Sequence, residues 1–217
     1  MTNQERSLFC QCLASLLSPP EAEVILKVHQ GAVYTFLKNY LEAWNEDISL
    51  PVRFHPDGAF QTFFEILKSE YNTHFSSSVG GGISLIESYY KPWTQDTTCS
   101  LPFASSKGYL MGDSAVHLSE VYRQCHIEVT EEFKATPDHL VLELEFLSFL
   151  YQWATDREIK KFIRDHLDWI PSLKEEFLKN QIHSFYLSVL EVLDLFLKKE
   201  RERLEVKKWK EEHSLRN

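Results

Sequence analysis

Polar and apolar positions follow a helical period at both ends of this chain and lose it in the middle. From Gln4 to Leu17, Leu8, Cys12 and Leu16 recur every fourth residue with Leu13 and Leu17 beside them, the stripe of a helix lying on a core. Ser18-Pro19-Pro20 ends it, and Ser18 followed by Pro19 reads as the cap of a second helix. Val24, Ile25 and Val28, then Val33, Phe36, Leu37, Tyr40, Leu41 and Trp44, carry the period past Gly31 as two helices or as one interrupted helix. Pro51 and Pro56 mark a loop, and Asp57 is placed to cap a helix over Ala59 to Phe75. Helices are also predicted from Asp113 to Cys125, from about Thr136 to Trp153, from Asp156 to Leu167 and from Gln181 to Glu212, with Trp169-Ile170-Pro171 as a break before the last. Thr136 reads as an N-cap, Pro137 sits where a missing N–H costs nothing, and Asp138 suits the positive end of the helix dipole. The helix that follows is apolar almost all round, as expected of a central helix packed on several sides.

Between Ser76 and Gly112 no helical period survives, and a connection of that length inside one domain tends to be functional or mobile. Its glycines, Gly80 to Gly82, are followed by no G-K-[ST] and preceded by no strand, so they read as a hinge rather than a phosphate cradle. With 7 Gly and 8 Pro in 217 residues, turns are too few for a many-stranded sandwich or barrel. The expected fold is therefore all-α: one bundle-like domain over residues 1–217, with a long irregular central loop and a hinge within 76–112.

A net charge of −9 opposes binding to a phosphate backbone, so nucleic acid is not expected as a partner. No run of 18 apolar residues occurs and Met1 to Arg6 lacks a basic-then-apolar leader, which predicts a cytoplasmic protein without stable membrane insertion. The 4 cysteines are too few for a disulfide scaffold and lack zinc-site spacing, so neither a metal nor another cofactor is expected.

Asp138-His139 is the most suggestive pair for chemistry, as a charge-relay fragment or as metal ligands, and His139 shares a helix face with Glu143. No third ligand can be named, and no G-x-S-x-G, H-E-x-x-H or Cys/His signature accompanies them. A small helical enzyme or metal-binding protein using Asp138 and His139 is thus one reading, and a plain helical scaffold another. Charge offers a third: from Asp113 to Phe146 eight acidic side chains face only Arg123 and Lys134. That region, beside a loop holding Tyr89, Tyr90, Pro92 and Trp93, suits a basic, partly apolar peptide, although the same acids would also solubilise a surface.

The run from Thr136 through Leu147, T-P-D-H-L-V-L-E-L-E-F-L, resembles the E-P-x-D-H-x-x-x-E-L-x-F-[LM] signature of the TorD-like chaperones, the TorD/DmsD/NarJ group. Ser69-Glu70-Tyr71 with Phe75, Glu87-Ser88-Tyr89-Tyr90 and Tyr122-Arg123 are similar to further family features, in the same order. The glutamate usual ahead of P-D-H is replaced by Ala135-Thr136, and the glycine common after the Tyr122 helix by Cys125 or His126. The resemblance implies an all-α chaperone without catalysis of its own. Such a protein binds the twin-arginine leader of a molybdenum-cofactor oxidoreductase, and the apo-form of that reductase or dehydrogenase subunit, until the molybdopterin is inserted. It further implies a leader-binding surface around Tyr89, Pro92, Trp93, Tyr122, Pro137, Asp138, His139 and Glu143, and a monomer or a helix-swapped dimer. Guanine nucleotide binding is implied by the resemblance alone. In chemical terms, carboxylates at and near Asp138 would take the two guanidinium forks, Trp93 would stack on a guanidinium or cover the apolar stretch, and Pro92 would hold Trp93 in extended chain.

Overall fold

The computed structural model describes residues 1–44, 58–75 and 82–214, with side chains as far as residue 206. The predicted loop prolines Pro51 and Pro56, the cap Asp57 and the hinge residues 76–81 lie outside them. The architecture is all-α: α1 (Asn3–Leu17), α2 (Ala22–His29), α3 (Ala32–Ala43), α4 (Phe60–His74), α5 (Glu87–Tyr90), α6 (Asp113–Gln124), α7 (Leu140–Trp153), α8 (Asp156–His166), α9 (Ile170–Lys179) and α10 (Ser184–Ser214). A 3₁₀ turn, Glu131–Phe133, precedes α7. The pairing of extended backbone among the described residues is a single antiparallel bridge, Ile86 with His139.

Local chemistry sets several boundaries differently from the sequence pattern. Ser18 closes α1 instead of opening α2: its hydroxyl donates to the Ala14 carbonyl at 2.9 Å, and α2 starts after Glu21. Gly31, at φ 79°, turns the chain between α2 and α3, a left-handed conformation that costs any residue with a Cβ. Pro171 does not break a helix but occupies the first turn of α9, where its missing N–H has no partner to lose. On α1 the buried face is Phe9, Leu13, Leu16 and Leu17, and Leu8 is 48% exposed, because the small side chains of Ser7, Cys10 and Ala14 turn inward instead.

Those small residues let α1 approach α7 closely, and this is the most extensive helix pair in the molecule. Ser7 and Ser148 join hydroxyls across it at 2.8 Å. α10 closes the other side of α1. Its buried Glu200 accepts from Arg6 Nε at 2.7 Å, Arg203 Nη2 at 2.7 Å and the Tyr151 hydroxyl at 2.9 Å, so one carboxylate joins α1, α7 and α10. Phe75 lies between Phe177 and Tyr186, with centroids at 5.2 and 5.3 Å, and ties the end of α4 to α9 and α10.

The central connection is divided in character. Ile83, Leu85, Ile86, Glu87 and Ser88 are buried, whereas Leu101, Tyr109, Leu110 and Met111 are exposed. The outer part is pinned by backbone bonds from Trp93 N to Ser106 O at 3.0 Å and from Asp113 N to Trp93 O at 2.8 Å. A Cβ at Gly112 would lie 2.6 Å from that same Trp93 carbonyl oxygen, and backbone cannot swing aside as a side-chain tip can. Gly112→Ala is therefore expected to cost about 1–3 kcal/mol of stability. Urea denaturation measures it, and an unchanged midpoint would mean that the loop relaxes freely.

Candidate functional site

The start of α7 is built by two segments distant in sequence. Leu140 N donates to Leu85 O at 2.8 Å and Glu87 N to Asp138 O at 2.9 Å, so residues 85–87 and 138–140 run antiparallel. This pairing uses the backbone of Asp138 and delays helix entry to Leu140, four residues past the predicted cap at Thr136. His139 becomes the cap, its Nδ1 accepting from Val141 N at 3.2 Å. An imidazole held as an acceptor must be neutral at that nitrogen, and burial pushes its pKa down to about 4.

Asp138 is fully buried, and its Oδ2 accepts from Ser88 N at 2.7 Å, which supplies the amide at the start of α5 with an acceptor. Asp138 and His139 thus serve different partners, one the start of α5 and the other the start of α7, and they form no relay with each other. Glu143, one turn into α7 and also fully buried, accepts from Trp169 Nε1 at 3.2 Å. Burial, then the neighbouring Glu87 and Asp138, push its carboxyl well above the usual range, which favours the neutral acid. Burial likewise raises Asp138.

Glu87 behaves oppositely. Burial pushes its carboxyl up, but His166 and Lys91 together outweigh it and hold the group below its ordinary value. His166 Nδ1 meets Glu87 Oε2 at 2.9 Å, and Lys91 Nζ lies 2.6 Å from both Glu87 Oε1 and Asp168 Oδ1. His117 Nδ1 lies 2.7 Å from His166 Nε2 with the rings 9° apart in plane, so a chain of polar contacts runs from exposed His117 to the carboxylates inside. Burial, His166 and Lys161 lower His117. Ser88 Oγ, Tyr122 OH, Asp138 Oδ1 and Glu143 Oε1 are buried without a hydrogen-bond partner among the described residues. Such atoms are rare in native interiors and collect where function or hidden water is present.

The sequence-predicted residues fall into three places. Asp138 and Glu143 belong to the buried cluster. Tyr89, 41% exposed, and His139 line a cleft of ≈ 570 Å³ whose other walls include Phe75, Ile83, Leu110 and Phe133. Tyr122 and Pro137 line a depression on the far side of the 3₁₀ turn. Pro92 and Trp93 stand in the outer loop, where extended Lys91 precedes Pro92 and Trp93 packs edge-on against Phe103 at 5.2 Å, which in turn stacks on Tyr109. Glu87, His117, His166 and Trp169 escaped sequence reasoning. Only Glu87 carried a signal, the E-S-x-Y resemblance, because its contact with His166 spans 79 positions and has no local spacing. Among the described residues no group of three or more His, Cys, Asp or Glu side chains is arranged to hold a metal ion, and no helix is long and apolar enough to cross a membrane.

Two substitutions test the cluster. Asp138→Asn keeps an oxygen for Ser88 N and should leave stability nearly unchanged, whereas Asp138→Ala strands that amide and should cost about 1–3 kcal/mol. Equal losses by thermal melting would show that the charge of Asp138, not its acceptor, is needed. Glu143 binds its proton more tightly folded than unfolded, so its contribution is full below pH 4.5 and is lost as pH rises toward its folded value. Glu143→Gln, a permanent mimic of the neutral acid, should melt at or above the wild type at pH 7 with an advantage that vanishes near pH 4. A large loss at pH 7 would show an ionised carboxylate inside.

The family model for the nitrate reductase delta subunit matches residues 61–186, which takes in the cleft lining apart from Pro19, the buried cluster and α7 to α9. The chain is 29% identical over 115 residues to the chaperone protein TorD of Vibrio parahaemolyticus, covering 46% of this chain and 54% of that one. To TorD of Salmonella agona it is 27% identical over 106 residues, covering 45% and 49%. The chain thus spans about half the length of the curated relatives it matches. Among solved structures, a candidate redox enzyme maturation protein from Archaeoglobus fulgidus superposes with a TM-score of 0.50 at 18% identity, covering 92% of this chain and 93% of that one, a likeness of fold.

Proposed function

Because this chain belongs to the nitrate reductase delta subunit family, the TorD/NarJ-like group, whose model covers more than half of it, we propose that it is a redox-enzyme maturation chaperone. It works in the cytoplasm as one domain without catalysis of its own. It binds the twin-arginine leader of a molybdenum-cofactor oxidoreductase, holds the apo-subunit until its cofactor is inserted, and so delays export.

The observation that carries this reading is the open cleft between Tyr89 and His139, of mixed polar and apolar lining, in which Phe75, Ile83, Leu110 and Phe133 supply apolar walls, with Tyr109, Leu110 and Met111 exposed in the outer loop. Apolar side chains gathered at an open cleft, rimmed by polar ones, mark a surface for an apolar segment of a partner. Tyr89 and His139 supply its walls. Pro92 and Trp93 shape the outer loop, Tyr122 and Pro137 face the neighbouring depression, and Asp138 and Glu143 position these elements from inside rather than touching the ligand.

Calorimetry of the full chain with a synthetic peptide, two adjacent arginines followed by about ten apolar residues, tests the reading. Binding with a negative heat-capacity change is expected, weakened about tenfold or more by Leu110→Asp, which places a charge in the cleft wall. Absence of heat and of competition with a fluorescent copy of the peptide would refute it.

A further inference from the structure

The outer loop, which supplies Gly108 and Leu110 to the cleft lining, is tied down at its root. Lys91 follows α5 in extended backbone and Pro92 behind it has a fixed φ, so the direction in which the chain leaves α5 is set at these two positions. The Lys91 side chain does not run out to solvent as most lysines do. It is 16% exposed, and its ammonium lies 2.6 Å from Glu87 Oε1 and 2.6 Å from Asp168 Oδ1 while donating to the Asp165 carbonyl at 2.7 Å. An ammonium has three donors, and three oxygens at contact distance match that capacity. Asp165 belongs to the last turn of α8 and Asp168 to the corner before α9, so one side chain ties α5 and the root of the loop to that corner. Among the described residues no other ion pair joins residues 91–112 to the rest of the molecule.

Beyond its root the loop braces itself. Trp93 N donates to Ser106 O, Thr94 N to Ala104 O at 2.9 Å and Asp113 N to Trp93 O, and the returning limb is fastened to α5 where Gly108 N donates to Tyr89 O at 2.8 Å. Resting on the leader-binding reading, we infer that Lys91 is a positioning residue for the cleft: by holding the root of the outer loop to the α8–α9 corner it fixes where Leu110 stands. Lys91 is not part of the cleft lining and acts on the peptide only through that wall. Glu87 is the partner that makes the tie possible, because a buried ammonium persists only when paired, and Glu87 is itself fully buried beside it. Removing Lys91 alone would leave Glu87 to His166 and confound the position of the loop with a stranded charge. The paired exchange Glu87→Gln, Lys91→Met removes both charges at nearly constant size and keeps an oxygen for His166.

The test uses the full chain and a synthetic peptide of two adjacent arginines followed by about ten apolar residues, read by calorimetry. The paired variant is expected to keep the wild-type circular dichroism spectrum and to bind about tenfold more weakly, and Leu110→Ala about fivefold more weakly. With Leu110→Ala added to the pair, the loss should stay near tenfold, because both changes remove the same wall contact. Losses that multiply would show that Lys91 does not act through Leu110 and overturn the assignment, as would a folded pair that binds like the wild type. Asp168→Ala reads the tie a second way, since it leaves Glu87 with its cation and replaces a side chain that is 55% exposed. Binding about threefold weaker is expected of it, and wild-type affinity would count against Lys91 in the same way. A wild type that binds no peptide ends the leader-binding reading and this assignment with it, a result distinct from the others.

Discussion

The antiparallel pairing of residues 85–87 with 138–140 is the constraint from which the rest of the site follows. Two backbone bonds, Leu140 N to Leu85 O and Glu87 N to Asp138 O, carry an irregular segment into the interior and set the first turns of α5 and α7 together. An inserted loop would leave buried amides and carbonyls unpaired, and that is why loops normally stay outside. Here Asp138 and His139 complete the accounting with side-chain acceptors for Ser88 and Val141. The same insertion brings Glu87 beside Glu143, and one of two neighbouring buried carboxyls must then keep its proton. Glu143 keeps it, because His166 and Lys91 favour the ionised form of Glu87.

Burial of acids in this cluster changes what the local charge means. Of the eight acids between Asp113 and Phe146, Asp138 and Glu143 are inside, and Asp113 accepts from Thr94 and Gln95. Glu120 and Glu131 are paired with Arg123 and Lys134. What remains at the surface is Glu128, Glu132 and Glu145, gathered around one aromatic depression. A tally along the sequence counts a broad acidic face; the fold sorts the same residues into an interior, a set of local pairs and a small uncompensated group.

The helical period revealed most of the fold, since α1, α4, α6, α7, α8 and α10 each present an apolar face at helical spacing and short-range chemistry decides where they run. It failed where a residue has two local meanings or where a distant segment intervenes. Pro171 stops a helix from within and starts one at its first turn, and only the packing of Ile170, Leu173 and Phe177 selects the second. Thr136-Pro137-Asp138 has every local sign of a helix start, yet the Asp138 carbonyl and carboxylate are spent on the amides of Glu87 and Ser88, about fifty residues upstream. The candidate site was legible as a set of names through the P-D-H resemblance. Its arrangement was not, because Glu87 to His166 and Glu143 to Trp169 are contacts between segments that no spacing rule connects.

The close union of α1 with α7 bears on how the chain is made. Ser7 and Ser148 stand 141 positions apart, so although Phe9 already finds Phe36, Tyr40 and Trp44 of α3, the side of α1 that packs on α7 has no final partner until most of the protein has left the ribosome. At ordinary elongation rates that interval is on the order of ten seconds. During it the first helix is an amphipathic segment in search of a groove, while the surfaces built by later residues do not yet exist. A protein whose proposed work is to shelter an apolar segment of another chain therefore begins its own life with one exposed, and the late arrival of α7 ends that exposure.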